Sequence, residues 1–257
     1  MKLKENAFLK AIRTGQQQIG LWVSLSSPYA AEAVAPAGYD WALLDMEHSP
    51  NELTSLLGQL QAYSAWPTTP IVRPDWNDMV KIKRLLDIGV PGLLLPMVET
   101  LDEARAAVAA TRYPPNGNRG VAGIMRANHF GRVSDYYAEV EKQTAVLIQL
   151  ETVQAVENAV SYGDIDGVDG IFFGPADIGA DMGLLGNPMN PEVWKLIRPA
   201  ARKLMERGMP VGTLVSDPAF AAELLNDGFS FVACGSDSGL LAKGADNLLA
   251  NVRGRLV

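Results

Sequence analysis

The sequence contains two histidines, and one of them, His48, closes the run Trp41-Ala-Leu-Leu-Asp-Met-Glu-His-Ser-Pro50. An apolar stretch stops there, and Asp45, Glu47 and His48 follow in quick succession. An imidazole titrates near working pH, and a carboxylate beside it can make it a general base; the alternative is a histidine that hydrogen-bonds a loop. Arg73 also ends an apolar run, and Pro74 after it favours extended backbone. A cation in that place calls for an anion, either a bound carboxylate or enolate or a salt bridge to Asp45 or Glu47. Further on come Gln149-Leu150-Glu151 and Gly174-Pro175-Ala176-Asp177. If Glu151 and Asp177 face one cavity they repel each other unless a cation or a proton lies between them. Oxygen ligands with open positions suit Mg²⁺ or Mn²⁺. The competing expectation is that each carboxylate caps the helix that follows it.

These residues are far apart in sequence, so the elements that carry them have to bring them together. Apolar runs recur at 19–25, 41–46, 69–73, 92–97, 145–150, 170–174, 210–215 and 229–234. They are continuously apolar rather than alternating, as parallel strands covered on both faces are. Helical patterns lie between them. Pro50-Asn51 is expected to start one over ELTSLLGQLQAY, and Asn77-Asp78 to cap MVKIKRLLDIG with Gly89 as its stop. Thr100, Thr152 and Asp217-Pro218 are expected to open LDEARAAVAATR, VQAVENAVSYG and AFAAELLNDG. Eight strands, each followed by a helix, make an α/β fold of the (β/α)8 TIM-barrel type, in which chemistry sits at the C-terminal strand ends. A doubly wound sheet is the alternative, but SSPYAAEAVAPAG after the first strand lacks a glycine fingerprint and a Walker lysine, so no nucleotide is expected. The connection 112–144 breaks the rhythm; one this long is expected to be a lid or a binding loop.

A chain of 257 residues, 48% hydrophobic and 20% charged, suits one barrel domain spanning residues 1–257. No apolar run reaches the length of a membrane span, and MKLKENAFLKAIR reads as an amphipathic N-terminal helix rather than a signal peptide. The formal charge of -7 disfavours a nucleic-acid partner. The single cysteine, Cys234, excludes an internal disulfide and a multi-cysteine metal cage, and it is expected to be a buried, inert thiol. A cytoplasmic location fits these features. Of the rest, His129 is expected to be exposed and Trp22, Trp41, Trp66, Trp76 and Trp194 to serve packing.

The joint order of D-x-E-H after the second strand, I-V-R-P at the third, LLDIGVPGLLLPMVET, TRYPPNGNRGV, Q-L-E-T and GVDGIFFGPADIGADMG resembles the HpcH/HpaI aldolase family from about Gly20 to the C-terminus. The resemblance implies a class II pyruvate aldolase on a (β/α)8 barrel, active in aromatic catabolism, that cleaves 4-hydroxy-2-oxoacids to pyruvate and an aldehyde. It implies Glu151 and Asp177 as ligands of a divalent metal (Mg²⁺, Mn²⁺ or Co²⁺) and Arg73 as the residue that stabilises the enolate. It implies Gln149 and the segment Gly174, Pro175, Ala176 and Asp177 as substrate contacts. His48 becomes the base and Asp87, in LLDIG, the carboxylate that supports it; the residues alone point to Asp45 for that task, and both stay open. It further implies a homo-hexamer, a trimer of dimers, with the last helix exchanged between subunits. Two departures stand out. Gly179 replaces a serine common in the family, which removes a hydroxyl near the mouth, and GIMRANHFGR is one residue shorter, which is expected to alter the aldehyde end.

No lysine stands among these strand ends; the nearest, Lys81, falls within a helical pattern, so Schiff-base chemistry is not expected. Another metal-enolate lyase on the same scaffold, or a barrel that binds oxoacids without turnover, remains an alternative.

Overall fold

The chain is described over residues 1–256 by a computed structural model. Its strands are β1 (Gln18–Val23), β2 (Trp41–Asp45), β3 (Thr69–Arg73), β4 (Gly92–Leu95), β5 (Ala145–Leu150), β6 (Gly170–Phe173), β7 (Val211–Leu214) and β8 (Phe231–Ser236). Each pairs in parallel with the next and β8 pairs with β1, so the sheet closes into a barrel in sequence order. Continuous apolar runs produce this because alternate side chains point to the two faces of a strand and both faces are covered. Leu44, Val72, Leu93, Leu95, Ile148 and Phe173 pack outward against the helices, whereas Trp41, Leu43, Ile71, Leu94, Leu147 and Phe231 fill the interior.

The interior is a packed core. At Gly20 a Cβ would lie 2.2 Å from the Trp41 ring, and at Gly212 one would lie 2.2 Å from the Phe231 ring. Glycine at these two strand positions makes room for two aromatics inside a narrow barrel. The N-terminal helix, Ala7–Arg13, closes the end of the barrel below them. Asn6 caps it by accepting the Leu9 N–H, and Phe8 is fully buried with ring centroids 5.7 Å from Trp41 and 5.6 Å from Phe231. The amphipathic helix expected over the first thirteen residues therefore begins only at Ala7, and residues 2–6 run along the barrel wall, tied down where Asn6 Nδ2 donates to Pro91 O and Gln143 O.

The capping expectations hold at Asp78, Thr100, Thr152 and Asp217, whose side chains accept from the first-turn N–H groups. Helix Leu53–Tyr63 opens at Glu52 rather than at Pro50-Asn51, because Asn51 is buried and donates to the Asp45 carbonyl. VQAVENAVSYG divides at Asn158 into Val153–Glu157 and Ala159–Gly163.

The long connection is placed differently from its expectation. It follows helix Leu101–Thr111 and leads into β5, so within the chain it lies at the N-terminal end of the barrel, away from the C-terminal strand ends. There it holds a 3₁₀ turn at Arg126–Asn128 and helix Tyr136–Gln143, and it grips the N-terminus: Leu3 N–H donates to Asp135 and Ser134 N–H to Met1 O. It is no lid over the mouth of its own barrel, and the shortened GIMRANHFGR does not shape the aldehyde end there. A cavity of about 260 Å³ lies under it; exposed His129 lines this cavity and belongs to that end.

No helix among the described residues is long and apolar enough to cross a membrane. The last helix, Asp237–Arg253, is attached by its start: Ser236 caps it and buried Asp237 accepts from Ser24 and Leu25 N–H. Beyond Asp237 no residue of this helix is buried.

Candidate active site

Strand alternation aims the polar residues at the strand ends into one space. Asp45 and Arg73 are register partners on β2 and β3, and both face inward one pleat above Leu43 and Ile71. Arg73 Nε and Nη2 each donate to Asp45 at 2.8 Å, a bidentate fork. Arg73 Nη1 lies 2.8 Å from Glu47 Oε2, close enough for an ion pair but not aligned for a hydrogen bond, so that buried oxygen lacks a donor. The guanidinium also lies over the Trp22 ring, 4.9 Å from its centroid, and its side chain is 7% exposed. The salt-bridge alternatives for Arg73 are thus both realised. They hold the guanidinium rigidly at the edge of a cavity of about 490 Å³, which it lines with His48, Gln149, Phe172, Ala176 and Asp177.

These contacts set the charge states. Burial alone would raise Asp45, but the hydrogen bonds and charge of Arg73 outweigh it and hold the carboxyl below its usual range. Glu47 is pushed the other way, to about 7, first by burial and then by the nearby Glu151 and Asp45 charges, against the pull of Arg73 and His48. Burial raises Glu151 as well, and Asp177 adds to the effect. Arg73 stays firmly protonated because Asp45, Glu47 and Glu151 offset its burial.

Glu151 and Asp177 are not helix caps. Thr152 caps the helix after β5, and Asp177 has no cap hydrogen bond at the start of helix Pro175–Asp181. Instead the Glu151 carboxylate accepts the Met97 N–H at 2.8 Å and a hydrogen bond from Gln149 Nε2. Met97 offers that N–H from a left-handed conformation, φ 53°, a strained backbone state that recurs at functional sites. Between the carboxylates is a gap that Gly174 leaves: a Cβ there would lie 3.2 Å from Glu151 Cγ and 3.7 Å from Asp177 Oδ2. Gln149 Oε1 is buried nearby without a partner. Two carboxylates, one of them with a raised pKa, beside a glycine gap and an unsatisfied amide oxygen fit a divalent cation that keeps open positions. Among the described residues no group of three or more His, Cys, Asp or Glu is placed to hold a metal ion, so a cation here would take its other oxygens from water and substrate.

His48 reaches the same mouth, 68% exposed, with Nε2 4.0 Å from Glu47 Oε2. Neither carboxylate expected beside it is there. Asp45 is taken up by Arg73, Trp22 Nε1 and the Glu47 N–H. Asp87 ends helix Met79–Asp87 and pairs with buried Arg119 at 2.7 Å, on the side of the long connection. Gly179 is also away from the mouth; a Cβ there would meet Val193 Cγ2 at 3.4 Å, so a serine hydroxyl would not enter the cavity. Lys81 pairs with Asp75 at the surface. Cys234 is half-buried, and burial pushes its thiol up, which keeps it unreactive.

Two contributors were not singled out from the sequence: Trp22 beneath the guanidinium and the Met97 backbone.

The sequence profile of the HpcH/HpaI aldolase/citrate lyase family matches residues 18–244. The chain is 49% identical to the 4-hydroxy-2-oxo-heptane-1,7-dioate aldolase of Salmonella dublin over 96% of this chain and 94% of the relative. In structure it is similar to an HpcH/HpaI aldolase/citrate lyase family protein from Burkholderia cenocepacia J2315, with TM-score 0.93, 36% identity and coverage of 96% and 99% of the two chains. An HpcH/HpaI aldolase from Desulfitobacterium hafniense matches with TM-score 0.89 and 26% identity, over 96% of each chain.

Proposed function

The chain belongs to the HpcH/HpaI aldolase/citrate lyase family, and from that premise we propose that its carbon–carbon lyase activity is the reversible cleavage of 4-hydroxy-2-oxoacids to pyruvate and an aldehyde. The observation that carries this reading is the pair Glu151 and Asp177 across the Gly174 gap, beside an Arg73 already locked in place by two carboxylates. A divalent metal belongs to this reading, as the resemblance to this family implies. Here Glu151 and Asp177 would hold Mg²⁺, Mn²⁺ or Co²⁺, which when bound supplies Lewis-acid polarisation of the 2-oxoacid.

The chain's own residues do the rest. Gln149, Ala176 and the Gly174-Pro175 backbone position the oxoacid on the floor of the cavity. In the cleavage direction, His48 takes the proton of the 4-hydroxyl group. The C3–C4 bond breaks, the aldehyde leaves, and the electron pair moves to the C2 oxygen as the pyruvate enolate. Arg73 faces that growing negative charge with a preorganised guanidinium, which binds the enolate oxygen better than the ketone it came from. Proton delivery to C3 then gives pyruvate. Trp22 and Phe172 wall the cavity. Asp87 can serve His48 only from a neighbouring subunit, which a hexameric trimer of dimers would allow. The enzyme is placed in the cytoplasm on this reading.

The test is pyruvate release from a panel of 4-hydroxy-2-oxoacids, by chelated protein and by protein reloaded with Mg²⁺, Mn²⁺ or Co²⁺. Chelation should abolish release and reloading restore it. Full activity of metal-free protein, or borohydride trapping of a pyruvate adduct on a lysine, would refute the proposal. Oxoacid binding without turnover would point instead to a non-catalytic barrel.

A further inference from the structure

Taking the aldolase reading of the site as the basis, we infer that the aldehyde handled here carries an uncharged, apolar chain rather than a second carboxylate. Relatives 49% identical to this chain are named for a heptane-1,7-dioate, whose aldehyde half would bring a carboxylate to the far side of the cavity. The far side of this chain is built for something else.

The cavity has two unlike walls. Arg73, Gln149 and Asp177 form the polar one. Facing it, the end of β7 supplies Leu214 and Val215, and the loop before helix Pro191–Met205 supplies Pro188 and Met189. Phe172 and Trp22 join the two. The cations that line the cavity are Arg73 and, when protonated, His48. Arg73 donates from two nitrogens to Asp45, ion-pairs through the third with Glu47 and serves the oxoacid end, and His48 acts as a base only in its neutral form. The charged group on the far wall is Asp217, held there because its Oδ1 accepts the Ala219 and Phe220 N–H groups. A carboxylate on the aldehyde would lose water, find no cation of this chain on the far wall and face a like charge, each of which weakens binding. An alkyl chain on the same wall would gain about fourfold in affinity for each methylene it buries.

The experiment compares ligands of equal length that differ only at the far end. Calorimetric titration of the metal-loaded full chain with 2-oxoheptanoate and 2-oxoheptanedioate reads binding without turnover; aldol addition of pyruvate to butanal and to succinic semialdehyde reads the reaction. The monoacid should bind at least about tenfold tighter, and kcat/KM should favour butanal by a similar factor. Leu214→Arg, which places a cation on the far wall, should invert both preferences. Because an arginine next to the barrel core can disturb folding, Met189→Arg, at a site 40% exposed, repeats the test from the loop and should shift both ratios the same way. Equal or tighter binding of the dioate by the native protein overturns the inference, as does a ratio unchanged by Met189→Arg. If neither oxoacid binds but the protein still exchanges pyruvate methyl protons in D₂O, the apolar wall is refuted while the aldolase reading stands. If exchange is absent too, both fall.

Discussion

On the proposed reading Arg73 carries both a structural and a catalytic requirement. Its fork holds Asp45, and the rigidity so gained would let it meet an enolate without reorganising. Arg73→Ala is expected to cost about 3–4 kcal/mol in the transition state, and Arg73→Lys should be severely impaired as well, because an ammonium lacks the planar fork. Pyruvate methyl exchange in D₂O should fall together with aldol turnover; exchange at the native rate with turnover lost would assign Arg73 to the aldehyde. Glu47 carries a separate expectation, for the metal-free protein. Its carboxyl is raised to about 7 in the fold from an ordinary 4.5, so the folded state holds a proton that the unfolded chain releases. The stability linked to that proton is complete below the lower value and is lost as pH rises through the upper one. Between about pH 5 and pH 8 the chelated protein should lose roughly 2 kcal/mol of urea stability that Glu47→Gln does not lose; an undiminished slope in the variant would assign the effect to another group. At this scale the positions of His48, Arg73, Gln149, Glu151 and Asp177 around one mouth were legible, because each lies at or just after the end of an apolar strand run. Within one chain the partner of His48 was not legible, since Asp45 is taken by Arg73 and Asp87 lies at the other end of the barrel.

Among the elements, the strands were legible because burial on both faces leaves continuous apolar runs, and most helix starts because a side-chain cap is a local event. Asn51 misled because its amide serves the tertiary structure, holding the Asp45 carbonyl, instead of the helix beside it. The connection 112–144 misled for another reason. Its length suggested a lid, but a segment that leaves a helix and enters a strand arrives at the N-terminal face of a barrel whatever its length. The N-terminal helix has a role its amphipathic pattern did not specify. Phe8 seals the barrel floor against Trp41 and Phe231, so Phe8→Ala should destabilise the protein by about 3–5 kcal/mol. Urea unfolding measures this, and a loss below about 1 kcal/mol would mean that the floor is held by the strands alone.

For the molecule as a whole, the last helix is the feature that a single chain leaves unfinished. It is anchored at Asp237 and then presents Leu240, Leu241, Leu248, Leu249 and Val252, each at least half exposed, to solvent. So large an apolar face on one helix is what an interface between chains would cover, which supports the exchange of this helix in a hexamer that the family resemblance implies. Leu241→Glu with Leu248→Glu should lower the mass seen by light scattering to fewer chains per particle; an unchanged six-chain mass would place the contact elsewhere. The sealed floor has its own effect on traffic through the enzyme. With Phe8, Trp41 and Phe231 stopping one end, reactants and products share a single doorway above β7 and Met189. With pyruvate seated innermost against Arg73 and Gln149, as proposed, it would enter before the aldehyde in synthesis and leave after it in cleavage, so the queue at the door, and not the chemistry alone, would dictate the sequence of events.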